Sequence, residues 1–408
     1  MKVKNSFLSI LLSLFSLNIL GQNIKTVQLR PKNSNNQFSA IVPLGSVLTL
    51  SFDDLDADSK EYQYKIQHMT HDWKPSNITT NQYIDGFDQI EIVNFSNSFN
   101  TLQPYTHYSV DLPNQNTIIT KSGNYLISVL DEDYEVVFTR RCVFYENITT
   151  VGVAVFRSRD TKSNNQKQTV QFAVNHPDLQ INNPNQEINV TLFQNHNWST
   201  AINNIQPQFI KPQQLLYNHT LTTNFWGGNE FLNFDSKFIR TTSLNIAKVE
   251  RKDIYNSYLY TNEQRADKIY TYNPDINGQF IIRTMDSNLP NTEADYSLVH
   301  FSLDAFEPLE NKSIYVYGAY NNYRLTDENK MKYNSRDRIY ETSILLKQGF
   351  YNYSYVTLDK NNLVNLNEID GSFFQTENEY TVIVYYKPFG ETYDRVIGVG
   401  MGYFNQNR

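Results

Sequence analysis

The stretch GFYNYSYVTL, Gly349 to Leu358, sets how the rest of the chain is read. Tyr351, Tyr353 and Tyr355 fall at every second position, and alternate side chains of a strand share one face. Three uses are open for such a row: a platform for stacking a sugar, part of a docking surface, or packing inside a sheet sandwich. The opposite face, Phe350, Asn352, Ser354 and Val356, is more polar. The tyrosine face is therefore expected to turn inward, with its hydroxyls reaching the rim.

The same strand character extends along the chain. With 29 Tyr and 25 Phe among 408 residues, the composition favours strands, and Asn, Thr and Ser supply polar turns. LTLSFDDL, EYQYKIQHM, THYSVDLP, GNYLISVLD and YEVVFTRRCVFY all carry strand-like apolar and aromatic content. Asp131-Glu132-Asp133 reads as a tight hairpin connection, and Lys162 to Gln166 as the polar loop between TTVGVAVFRSRD and QKQTVQFAVNH. No helical periodicity longer than about three turns is sustained. The predicted class is all-β, built of tandem immunoglobulin-like or early-set-like sandwiches. The expected division is a signal peptide at 1–21, an N-terminal sandwich at 22–146, a central β domain at 147–287 and a C-terminal early-set-like sandwich at 288–408.

The N-terminus fits an export signal. Lys2 and Lys4 precede an apolar run from Phe7 to Leu20, and Gly21 offers a small residue for cleavage before Gln22. No cysteine follows that run, so a lipoprotein-type anchor is not expected. The one cysteine, Cys142, excludes an intrachain disulfide and a cysteine-based metal cluster. The formal charge of −7 becomes two units more negative without Lys2 and Lys4, which argues against nucleic acid and anionic lipid as partners.

Candidate chemistry is sparse. Asp53-Asp54-Leu55-Asp56-Ala57-Asp58, followed by Glu61, has carboxylates that could converge on calcium. It lacks the glycine and terminal glutamate of an EF-hand loop and reads as a solvated acidic turn. His68 and His71 lie three apart, but on a strand they face opposite ways. There is no HExxH, no GxSxG turn, no P-loop and no GxGxxG. A carboxylate pair for glycoside hydrolysis is not marked. The expectation is a binding protein rather than an enzyme, with no cofactor and no metal. In NFWGGNEFLNFD, Gly227 and Gly228 sit between aromatics; the loop is either a presented docking element or a glycine turn pinned by its neighbours. Trp226, Gly227, Gly228, Asn229, Glu230 and Phe231 are the candidate partner contacts, together with Tyr323.

Eight motifs then occur in order: FDDL (52–55), HDWKPS (71–76), YIDGF (83–87), THYSVDLPN (106–114), SGNYLISV (122–129), GGNEF (227–231), LLKQGFYNYSYV (345–356) and TENEYTVIVYYKPFGETYDRVIG (376–398). Together they resemble the Bacteroidetes family of type IX secretion plug proteins, first catalogued as a domain of unknown function. The resemblance implies a non-enzymatic periplasmic protein. It would bind the large outer-membrane β-barrel translocon called SprA or Sov and close its periplasmic opening. A second resemblance lies within the C-terminal part. VYGAYNNY followed by LLKQGFYNYSYV is similar to glycogen-binding modules, with Tyr323 where those modules often place a sugar-contacting tryptophan. That departure weighs against a glycan ligand. A periplasmic glycan-binding module is the alternative function, and an unmarked glycoside hydrolase the third.

Overall fold

The computed structural model describes residues 23–32 and 38–404; the expected signal peptide lies outside the described residues. The chain is all-β, arranged as three sandwiches. Within the first, one sheet runs Ile24–Pro31, Leu48–Asp54, Thr106–Leu112, Phe95–Asn97. The facing sheet runs Ile41–Pro43, Val136–Tyr145, Gly123–Leu130, Gln63–Met69, Gln89–Glu91. Alternation explains the packing. Leu48, Leu50 and Phe52 point from one sheet toward Tyr64, Ile66, Ile127 and Val129 of the other. Gly123–Leu130 and Val136–Tyr145 form the expected hairpin; its turn is held by Asp131, whose side chain accepts from the backbone N–H groups of Asp133 and Glu135.

The sheets do not follow the boundaries expected from sequence at 147–287 and 288–408. The second sandwich takes Thr150–Arg157, Lys167–Asn175, Phe209–Lys211, Gln214–Tyr217 and Asn224–Trp226 into one sheet. Its other sheet combines Asn197–Ile202 and Ile188–Gln194 with the last two strands of the chain, Asn378–Tyr386 and Arg395–Phe404. The third sandwich spans the residues between, from Leu232–Asp235 to Val364–Asn365. It is thus inserted into the second. The physical reason is that alternation marks a strand but not its partner. Asn378–Tyr386 is buried on both faces, and its residues 380–386 pair antiparallel with Ile188–Gln194. Beside it, Gly400 lies so close to Val151 that a Cβ would sit 2.6 Å from the valine side chain and backbone oxygen. Only glycine lets Thr150–Arg157 cross there.

Gly349–Asp359 is the central strand of the third sandwich. It pairs with Leu232–Asp235 and Phe280–Ile282 along its first half and with Lys312–Tyr317 and Val364–Asn365 along its second. Tyr351, Tyr353 and Tyr355 are 2%, 1% and 0% exposed, so they pack the core and offer no face to a sugar. Their hydroxyls do not reach the rim as expected. Tyr351 donates to Lys347 O, and Tyr353 and Tyr355 both donate to Asn262 Oδ1. Each buried hydroxyl is therefore satisfied internally, which avoids a penalty of about 1–3 kcal/mol per unpaired group. On the opposite face Asn352 and Val356 are buried as well. Asn352 Oδ1 accepts the backbone N–H of Ile276.

Among the described residues no helix is long and apolar enough to cross a membrane, and no group of three or more His, Cys, Asp or Glu is placed to hold a metal ion.

Candidate functional site

Several of the residues singled out in the sequence lie at the junctions between sandwiches. The glycine loop follows Asn224–Trp226 and leads from the second sandwich into the third. Gly227 N–H donates to Gln166 O, and Gly227 O accepts from Asn378 Nδ2. A Cβ on Gly227 would stand 2.1 Å from Phe373 O. Gly228 adopts φ +66°, its N–H donates to Ser372 Oγ, and its carbonyl accepts from Phe373 N–H. These bonds pin the loop on both sides, so glycine is required here for close backbone approach and left-handed geometry.

Glu230 is buried. Its Oε1 accepts from the Tyr270 hydroxyl and from Glu377 N–H, while Arg265 donates to its carbonyl and pairs with Asp370 at 2.9 Å. Burial raises the Glu230 carboxyl above its usual range, and it also pushes Asp275 and Glu379 of the same junction up to about 7. Trp226 remains exposed, with the Lys167 ammonium 4.3 Å above its ring. Trp226, Gly227, Gly228, Asn229 and Phe231 line one cavity of about 280 Å³, and Tyr323 closes its other side. The Tyr323 ring sits 5.0 Å from Tyr317, whose hydroxyl accepts from Asn197 Nδ2 of the second sandwich. Tyr323 is thus wedged between two sandwiches rather than projecting as a sugar platform. Glu230 alone among the candidates is enclosed away from this cavity.

The acidic motif is a solvated turn only in its second part, where Asp56, Asp58 and Glu61 are exposed; its first two carboxylates are not. Asp53 and Asp54 are both fully buried. Asp54 pairs with Lys60 at 2.9 Å and accepts from the Tyr62 hydroxyl. Asp53 points the other way, out of the first sandwich into the third. It receives Lys347 Nζ at 2.7 Å, the Tyr296 hydroxyl at 2.7 Å and His107 Nδ1 at 2.6 Å. Burial by itself would raise the Asp53 carboxyl; Lys347 and His107 outweigh it and hold it below its ordinary value. The two adjacent carboxylates serve separate cations on opposite faces, as strand geometry demands.

Lys347 is enclosed too. Burial lowers its pKa, and its other contacts are Asn291 O and the Tyr105 ring 4.0 Å away. Nearby, Tyr105 donates to Ala294 O, and the backbone N–H groups of Leu102 and Gln103 donate to Asp295. Sequence reading missed this cluster. Its signal was a lysine within LLKQGFY, on the face opposite Ile344 and Leu346.

The first and second sandwiches meet at a third junction. Arg395 pairs bidentately with Glu146, and His71 contacts Asp394 through both its backbone N–H and its ring. The bond to Asp394 raises the His71 pKa. His68 is buried against Ser76 and the Ser122 carbonyl, so the two histidines serve packing and pairing in different places. Trp73, Trp198 and the core of Ile41, Val143, Phe193, Ile383 and Tyr385 seal this contact.

Three interlocked all-β sandwiches, joined by buried polar contacts, make up the described chain. Residues 24–146 match the family model described as type 9 secretion system plug protein 1st domain. A hypothetical protein from Parabacteroides merdae, solved by crystallography at 2.30 Å, is 32% identical, with a TM-score of 0.89, covering 94% of this chain and 97% of that one. The chain belongs to one family with that protein, and its first sandwich is the part that matches the plug-domain model. A partial N-terminal region of an enterococcal surface protein aligns at 7% identity with a TM-score of 0.20, which carries no argument. No curated protein matches.

Proposed function

We propose that this protein is a periplasmic plug. It binds the large β-barrel translocon of the type 9 secretion system in the outer membrane and closes its periplasmic opening. The observation that carries this reading is the plug-domain match over residues 24–146. The junctions support it mechanically. A stopper must hold its shape under load, and here the plug domain is tied to the second sandwich through Glu146–Arg395 and to the third through Asp53–Lys347. For roughly 380 residues compact-chain scaling gives a radius of gyration of about 21 Å, hence a body about 55 Å across. That is wide enough to obstruct a pore that passes folded cargo.

The first sandwich also carries exposed apolar side chains on one side. Ile118 lies in the small sheet of Ile84–Gly86 and Thr117–Ile119, Phe87 directly follows its first strand, and Val93 shares a surface cleft with Asn116 next to them. This patch is where the barrel is expected to dock. A stable seal buries on the order of 1,000–2,000 Å². Affinity capture of a tagged copy from detergent-solubilised envelopes tests the proposal. Recovery of one giant outer-membrane barrel near one-to-one, lost in Val93→Glu/Ile118→Glu, is the expected result. Recovery of the tagged protein alone, from envelopes shown to hold the intact barrel, would overturn it.

A further inference from the structure

All three sandwiches wall a second cavity, of about 330 Å³. Its lining includes Arg30, Arg140 and Arg141 from the first sandwich, His196 from the second and Arg324 from the third, and it includes no Asp or Glu. In an acidic chain that composition is unusual. Elsewhere in this fold part-buried arginines meet carboxylates: Arg265 with Asp370, Arg283 with Asp235, Arg395 with Glu146. Among the described residues none of the four cavity arginines forms an ion pair. Residues 33–37, beside the cavity in sequence, are Asn, Ser, Asn, Asn and Gln and so bring no acid. Arg140 and Arg324 also border an adjoining cavity, in which Glu328 is paired with Lys25.

Three of the guanidinium groups are held by neutral partners. Arg30 lies between the Phe38 and Phe280 rings and donates to Phe280 O. Arg140 donates to Thr139 O at 2.9 Å and to Val27 O at 3.4 Å. Arg141 stacks over Trp73. A guanidinium has five N–H donors, so these contacts leave several unused. His196 Nδ1 is buried without a partner. Burial lowers Arg30 to about 10 and Arg140 to about 9, and Arg324 adds repulsion at Arg140. Uncompensated cations converging on one space are stabilised when an anion enters it.

We propose that this three-way cavity binds a small multivalent oxyanion, a phosphate group or a polycarboxylate, between Arg30, Arg140 and Arg324. Guanidinium forks match both groups by paired N–H···O bonds. The volume is at the lower end for small-molecule sites and suits an anion with a short organic portion. Because the walls come from three sandwiches, the occupant fastens them together. The proposal stands apart from the plug reading, since it concerns the inner junction and not the docking face.

The test uses the full mature chain, with inorganic phosphate and citrate as separate probes at constant ionic strength against chloride. Saturable one-to-one binding by calorimetry is expected for at least one probe, with a rise in Tm of about 3 °C or more at saturation. Which probe saturates identifies the oxyanion class. Arg140→Gln is expected to weaken binding by about tenfold or more. Arg324→Gln, at an exposed position that folding does not require, is expected to do the same, while Arg336→Gln on a distant turn leaves binding unchanged. Absence of saturable binding by either probe, or stabilisation that survives Arg324→Gln as a general salt effect, would overturn the proposal.

Discussion

Asp53 shows how one side chain can set the relation between two sandwiches. Its carboxylate is fully buried and takes three donors, two of them from the third sandwich. Breaking a buried pair from one side leaves an uncompensated charge, which costs about 3–5 kcal/mol. Lys347→Met should therefore lower the urea midpoint sharply, and Asp53→Asn added to it should recover part of the loss. A Lys347→Met protein as stable as the parent would remove the node from the account. Glu379 gives a pH prediction. It is raised by burial to about 7, whereas in the unfolded chain it titrates in the ordinary glutamate range. The folded state thus holds the extra proton, so this stability is complete below the unfolded pKa and is lost as pH rises toward and through 7. His196 Nε2 lies 3.4 Å away, but burial lowers that histidine to about 4, so it stays uncharged over this window. Glu379→Gln should raise Tm at pH 8, by the equivalent of up to about 3 kcal/mol, and leave it nearly unchanged at pH 4.5. A difference independent of pH would contradict the assignment.

Elements were easier to read than their partners. GFYNYSYVTL was legible as a strand, and its tyrosine face as the inward one, because alternation is a local property. The return of Asn378–Tyr386 to Ile188–Gln194 was not, since two doubly buried strands carry no mark of which neighbour each will choose. The glycine loop was legible as a constrained turn. That it ties Gln166 to Phe373 and Asn378 needed the fold. Asp53 and Asp54 were misread for a related reason: consecutive acids look solvated until their separate cations, Lys347 and Lys60, are in place. At this scale Gly227→Ala is the informative change. Its methyl would meet the Phe373 carbonyl, and forced repacking of this kind costs about 1–3 kcal/mol. Hydrogen exchange should rise at 227–231 and 370–378 while the first sandwich keeps its protection. Uniform acceleration across the chain would show that the loop is not a local fastening.

For the whole molecule, the central matter is whether three interlocked sandwiches behave as one obstruction. The plug-domain match over residues 24–146, the ion-paired junctions and the apolar patch at Phe87, Val93 and Ile118 support that reading. The most direct measurement is flux through purified translocon reconstituted in vesicles loaded with a fluorescent dextran a few nanometres wide. Adding the protein to the periplasmic face should stop efflux at about one copy per barrel, and Val93→Glu/Ile118→Glu should not. Binding to the barrel with efflux unchanged would contradict the account, leaving a translocon partner that does not close the pore.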